Sequence, residues 1–122
     1  MSRILLDECV PRRFRRELPD LPVSHVRDED WTGQRNGVLL GLMRDAGFAI
    51  LITVDRNLAY QQNVAAAGIA VIVLHARGNR TVDLVPLVPA LRVALAAAAP
   101  GQVLRVGVVP NNSMQWPALR RR

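Results

Sequence analysis

Ten acidic residues are spread along the chain, and four of them share a setting. Asp7 and Glu8 follow the apolar run Ile4–Leu6, Asp28 follows Val23–Arg27, and Asp55 follows Phe48–Thr53. If those runs are neighbouring strands, they lie ~4.8 Å apart, and carboxylates at their ends can converge on one cation. A hard divalent ion such as Mg²⁺ takes oxygen ligands and keeps several waters, so a few carboxylates suffice. Crowded carboxylates otherwise repel and take up protons. A metal relieves that conflict, lowers the pKa of a bound water and offsets charge on a phosphodiester under attack. The competing reading is that each aspartate caps a helix or opens a turn after its strand. Glu29 and Asp30 read as solvated loop charges.

Other reactive types sit nearby. Arg27 and Arg56 adjoin the acids and either hold substrate phosphates bidentately or pair with those acids. Tyr60, Gln61 and Gln62 open the helix after Asp55, where a tyrosine can stack on a base or simply belong to an amphipathic helix. Arg12, Arg13, Arg15 and Arg16 make either a phosphate-binding face or a solvated helix. His25, inside a strand, reads as a buried, hydrogen-bonded histidine, and His75 ends a strand near the acids. Cys9 has no recognisable base and orienting partner, so it reads as a packing residue. Trp31 reads as a local plug.

The elements that must position these groups follow from pattern. Ile4–Leu6 is strand-like. Pro11 suits a first helical turn, and Arg12–Leu18 continues it until Pro19. Val23–Arg27 is a second strand and 28–35 a loop. Asn36 is read as the N-cap of a helix to Ala46, closed by Gly47. Phe48–Thr53 and Ile69–Leu74 are apolar on both faces, as central parallel strands are. Leu58–Ala67 reads as a helix. Thr81–Ala99 reads as a longer one, with Pro86 and Pro89 forcing a late start or a kink. Gln102–Val109 is the last strand. The alternation predicts a three-layer α/β/α sandwich with a mostly parallel sheet, one domain over 1–109 and a basic tail over 110–122. Ligands of such sheets bind beyond the carboxyl ends of the strands, where the acids fall.

Composition narrows the classes. All 16 basic residues are arginine and the net charge is +6. Residues 1–35 balance seven arginines against seven acids, whereas 84–122 hold five arginines and no acid. That end suits a polyanion, an acidic protein or plain solvent. No stretch approaches a membrane span. The single cysteine and the lack of a secretion signal point to a reducing cytoplasm.

The segments ILLDECVPRRFRREL, VSHVRDEDWTG and ILITVDRNL, in that order, resemble the short PIN-like proteins over roughly residues 3–75. These are relatives of the PIN-domain ribonucleases, many of which look like toxins of toxin–antitoxin pairs. The resemblance implies a PIN-like fold, Mg²⁺ or Mn²⁺ held by acids, and endonucleolytic cleavage of RNA. It implies a cognate antitoxin protein and a homodimer as partners. Asp7 matches the acid after the first strand and Asp55 the first acid of the strand-three motif. With Asp28 they are the expected metal ligands, and Glu8 supports them. Two positions depart. Asn57 stands where a second strand-three acid is usual, and Asn36 where an acid opens the helix after strand two. Both are placed with Arg27, Arg56 and Tyr60 as substrate contacts. An amide coordinates through its carbonyl but brings no charge. The alternative is therefore a module that binds RNA or a cognate protein without cutting.

Overall fold

A strand covered by helices on both sides must be apolar on both faces, and β3 (Phe48–Thr53) and β4 (Ala70–His75) are buried along nearly their whole length. The computed structural model describes residues 2–58 and 64–107. In it these two strands are joined by β1 (Arg3–Leu6), β2 (Val23–His25) and β5 (Val103–Gly107) in one sheet of order β2-β1-β3-β4-β5, every pair parallel. The fold is α/β with an all-parallel sheet. The chain steps one way from β1 to β2, then crosses back past β1 to β3 and continues that way, so the switch point of the topology lies between β1 and β3.

Alternation along the strands divides the core. Ile4, Leu6, Ile50, Ile52, Ile72 and Leu74 face one side, with Phe14, Leu84 and Leu91 packed on them. Leu5, Leu51, Val71 and Val73 face the other, against Leu39, Leu40 and Met43 of α1 (Asn36–Ala46). Val64, from the short α2 (Val64–Ala67), joins this second side. Gly47 ends α1 in the left-handed conformation at φ 86°, open to glycine without strain. The cap at the other end falls one residue earlier than expected. Arg35 takes it, with no side-chain bond, and Asn36 is the first helical residue.

Other boundaries shift for local reasons. Arg12–Glu17 is a 3₁₀ helix rather than an α-helix, a tighter form common in short connecting pieces. Burying Phe14 and Leu18 still anchors it, at roughly 1.5–3 kcal/mol each. β2 stops at His25, where a run of turns begins. The long C-terminal helix is three pieces: α3 (Thr81–Leu84), a 3₁₀ turn (Val85–Leu87) and α4 (Val88–Ala97), with a proline opening each of the last two. α1 and α2 bridge steps in one direction across the sheet and cover one face. The β4–β5 connection takes the same direction but covers the opposite face, so its hand differs from theirs, a rare choice. Arg92 of α4 secures it, donating from two nitrogens to Asp20 at 2.8 and 3.0 Å.

No helix among the described residues is long and apolar enough to cross a membrane. Tyr60, Gln61, Gln62 and the tail 110–122 lie outside the described residues.

Candidate active site

β1 and β3 run in register, Leu6 opposite Ile52, and the Asp7 N–H donates to the Ile52 carbonyl at 2.9 Å. Asp7 therefore lies beside Thr53. Alternation turns both toward the α1 side of the sheet. Thr53 is fully buried and Asp7 is 7% exposed. The Thr53 hydroxyl donates to Asp7 Oδ2 at 2.8 Å and accepts from the Asp55 N–H at 3.0 Å. One hydroxyl thus links the two aspartates across the switch point. Asp7 Oδ1 accepts the Glu8 N–H, and Asp55 Oδ1 accepts the Asn57 N–H, both at 2.9 Å.

Neither aspartate has an arginine within ion-pair distance among the described residues. A carboxylate oxygen accepts more than one bond, so each aspartate retains unused acceptor capacity. Among the described residues no group of three or more His, Cys, Asp or Glu gathers closely enough to hold a metal. The arrangement is two carboxylates joined by a threonine. Mg²⁺ is commonly held by one or two carboxylates plus substrate phosphates, and carboxylate oxygens are the donor type such an ion takes.

The other expected ligands are employed elsewhere. Asp28 accepts from Arg12 and, at 2.7 Å, from Arg15, and it caps the His25 N–H at 3.0 Å. Partial burial works to raise the Asp28 carboxyl. The bonds from Arg12 and His25, with the charge of Arg15, outweigh it, so Asp28 titrates below the usual carboxylate range. The glutamate Glu8 accepts the Gly33 N–H at 2.8 Å and ties the 26–35 loop to the end of β1. Trp31 of that loop packs edge-on against Phe48, ring centres 5.9 Å apart, while Arg3 covers Phe48 at 4.0 Å. Trp31 is a plug.

Arg56 follows Asp55 and donates to the Ala76 carbonyl at 3.4 Å, beside β4. Arg27 is exposed in the turn after β2, and its backbone N–H donates to His25 Nδ1 at 3.0 Å. His25 Nε2 meets the Val10 carbonyl at 2.6 Å, so the proton sits on Nε2 and the buried ring is satisfied at both nitrogens. Burial holds its pKa below the ordinary value. Asn57 is exposed next to Asp55 and Asn36 is half-buried at the start of α1. Cys9 Sγ lies 3.5 Å from Thr53 Oγ1. Burial pushes its thiol up, which keeps it protonated and unsuited to nucleophilic attack.

Sequence reasoning did not single out Thr53. Its signal was present: a polar residue ending an otherwise apolar strand, two places before an aspartate. Comparison of the chain with protein-family models, curated proteins and solved structures returned no match.

Proposed function

We propose that the chain is a metal-dependent endoribonuclease of the PIN-like class and the toxin of a toxin–antitoxin pair, acting on RNA in the cytoplasm. The carrying observation is Asp7: a carboxylate almost wholly buried at the switch point, held by a hydroxyl and a backbone N–H, with no compensating arginine among the described residues. Burying an uncompensated charge costs several kcal/mol unless a cation or pKa change relieves it. Asp7 and Asp55 would hold Mg²⁺ or Mn²⁺. The ion supplies Lewis acidity and a more acidic water. Thr53 fixes the direction of Asp7 Oδ2 and, through the Asp55 N–H, the turn that presents Asp55. A cognate antitoxin and a second copy of the chain are the partners this reading brings with it.

A second reading keeps the fold and drops the chemistry: a module that binds RNA or a partner protein. It is favoured by Asn36 and Asn57 at positions where acids are usual for the family, and by Asp28 being tied to two arginines.

Cleavage of single-stranded RNA in Mg²⁺ or Mn²⁺, with EDTA as the blank, separates the two. The nuclease reading expects metal-dependent cutting that falls at least about 100-fold in Asp7→Asn and Asp55→Asn, no less than the upper end of the ~10–100-fold that losing a mere outer-shell partner costs. Cutting that survives both substitutions overturns the assignment. A wild type that binds RNA, binds no metal by calorimetry and does not cut gives the case to the second reading.

A further inference from the structure

The carboxyl edge of the sheet is not uniformly acidic. Thr53, Val73 and Arg105 are in register across β3, β4 and β5, so the Cα atoms of Thr53 and Arg105 lie about 10 Å apart. Two residues beyond Val73, His75 stands opposite Gly107. Val71 and Val73 face the α1 side, as Val103 does on β5, so alternation carries His75 and Arg105 to the face that holds Asp7 and Thr53. Arg105 reaches His75 Nε2 at 3.3 Å, and Arg56 arrives from the other flank at the Ala76 carbonyl. Gly107 makes this possible: a Cβ there would come within 2.8 Å of the His75 Cβ and carbonyl oxygen.

We propose that Arg56, His75 and Arg105 form an anion subsite for a phosphodiester of a nucleic-acid strand, one or two strands along from the Asp7–Thr53–Asp55 cluster. The ligand's identity rests on the nuclease reading; the subsite itself rests on the three basic side chains. Guanidinium groups bind phosphate oxygens through paired N–H donors. Burial lowers the His75 pKa first, and the positive charges of Arg56 and Arg105 lower it further. A phosphate bound between them would reverse that pressure. A strand crossing the edge would set one phosphate over the carboxylates, completing the ion's ligands, and a neighbouring phosphate over the arginines.

The test measures binding of a short fluorescent single-stranded RNA in EDTA, where no cutting occurs. Arg56→Gln and Arg105→Gln are each expected to weaken binding about tenfold, whereas Arg44→Gln, which removes one charge from the far end of α1, changes it less than about twofold. Arg105→Lys keeps the charge and should recover part of the loss, which guards against a folding defect in the glutamine variant. In parallel, inorganic phosphate should move the His75 imidazole resonances and leave those of His25 in place. Equal losses in all three glutamine variants, or a silent His75, overturn the subsite. Phosphate that moves His75 while RNA fails to bind overturns its assignment to a nucleic-acid strand. A wild type that never cuts but loses RNA binding only in Arg56→Gln and Arg105→Gln keeps the subsite and sinks the nuclease. Metal-dependent cutting unchanged in those variants does the reverse.

Discussion

Two neighbouring strand ends present an aspartate at one edge of the sheet, and the fold treats them in opposite ways. Asp28, after β2, is matched by Arg12 and Arg15 and caps a backbone N–H. Asp7, after β1, is more deeply buried yet is given only a threonine hydroxyl and one N–H. Residue type and position are alike; compensation differs. A carboxylate neutralised by two guanidiniums is a tie between elements, here the 3₁₀ helix and the β2 turn. A carboxylate buried beside only a hydroxyl and one N–H ties no such elements together, and that is why the proposed ion is assigned to it.

The comparison is broken most severely at Thr53. In Thr53→Val the shape is kept, but Asp7 Oδ2 loses its donor and the Asp55 N–H its acceptor. Leaving such groups unsatisfied should lower the unfolding free energy by about 1–3 kcal/mol, read by urea denaturation in metal-free buffer. An unchanged urea midpoint would mean the hydroxyl does not bridge the two aspartates.

Asp28→Asn should come next. It removes the charge that holds Arg12 and Arg15, whose side chains are 52% and 45% exposed, so solvent screens part of the effect and the loss should be about 1–2 kcal/mol. Metal-dependent cutting, where the wild type has it, should persist in this variant. If Asp28→Asn abolished cutting while leaving stability intact, the roles assigned to the two aspartates would be exchanged.

Acid separates the same region into two steps. The folded-state pKa of His25 is lowered by burial, so the unfolded chain takes up the proton first and stability falls as pH drops from about 6.5 toward the folded value. His75, lowered by burial, Arg56 and Arg105, contributes with the same sign. The Asp28 pKa is lowered as well. Its contribution is complete above the unfolded value near 3.8 and is lost as pH falls below it. Urea midpoints followed from pH 7 to 3 should show both declines. His25→Gln should flatten the upper one, leaving the remainder that His75 supplies, and spare the lower one. An upper decline of unaltered size in that variant would place its origin elsewhere.

What the sequence made legible was local. The span of α1 and its closing glycine, the double burial of β3 and β4, and the arrival of Asp7 and Asp55 at strand ends all follow from period, cap and run length. Short and proline-broken elements were read less well. Arg12–Glu17 makes a 3₁₀ helix, and Pro86 and Pro89 divide one expected helix into three pieces. The partners of the acids were not legible at all. Thr53 stands 46 residues from Asp7, and Arg12 stands 16 from Asp28. Arg105 carries no local sign that β5 will set it beside His75. Such pairings are fixed by strand order and by the face each connection covers, and no window of sequence contains them.

The smallest expected change in stability is the most discriminating. Asp7→Asn keeps a side-chain carbonyl for the Glu8 N–H and an amide that can donate to the Thr53 hydroxyl, which has lone pairs enough to accept it. It removes a buried charge that no arginine among the described residues offsets. The Thr53 hydroxyl proton must then turn to Cys9 Sγ, 3.5 Å away, so a weakened bond and a removed buried charge oppose each other and stability in EDTA should fall by about 1 kcal/mol or less, although the site is deeper than Asp28, where the same substitution is costly. Added Mg²⁺ or Mn²⁺ should raise the wild-type melting temperature and leave Asp7→Asn unmoved, because an ion stabilises only the state that binds it. Equal shifts in both proteins would put the ion somewhere else. A loss of stability in Asp7→Asn as large as in Asp28→Asn would make Asp7 another structural tie, and the contrast between the two strand ends would vanish.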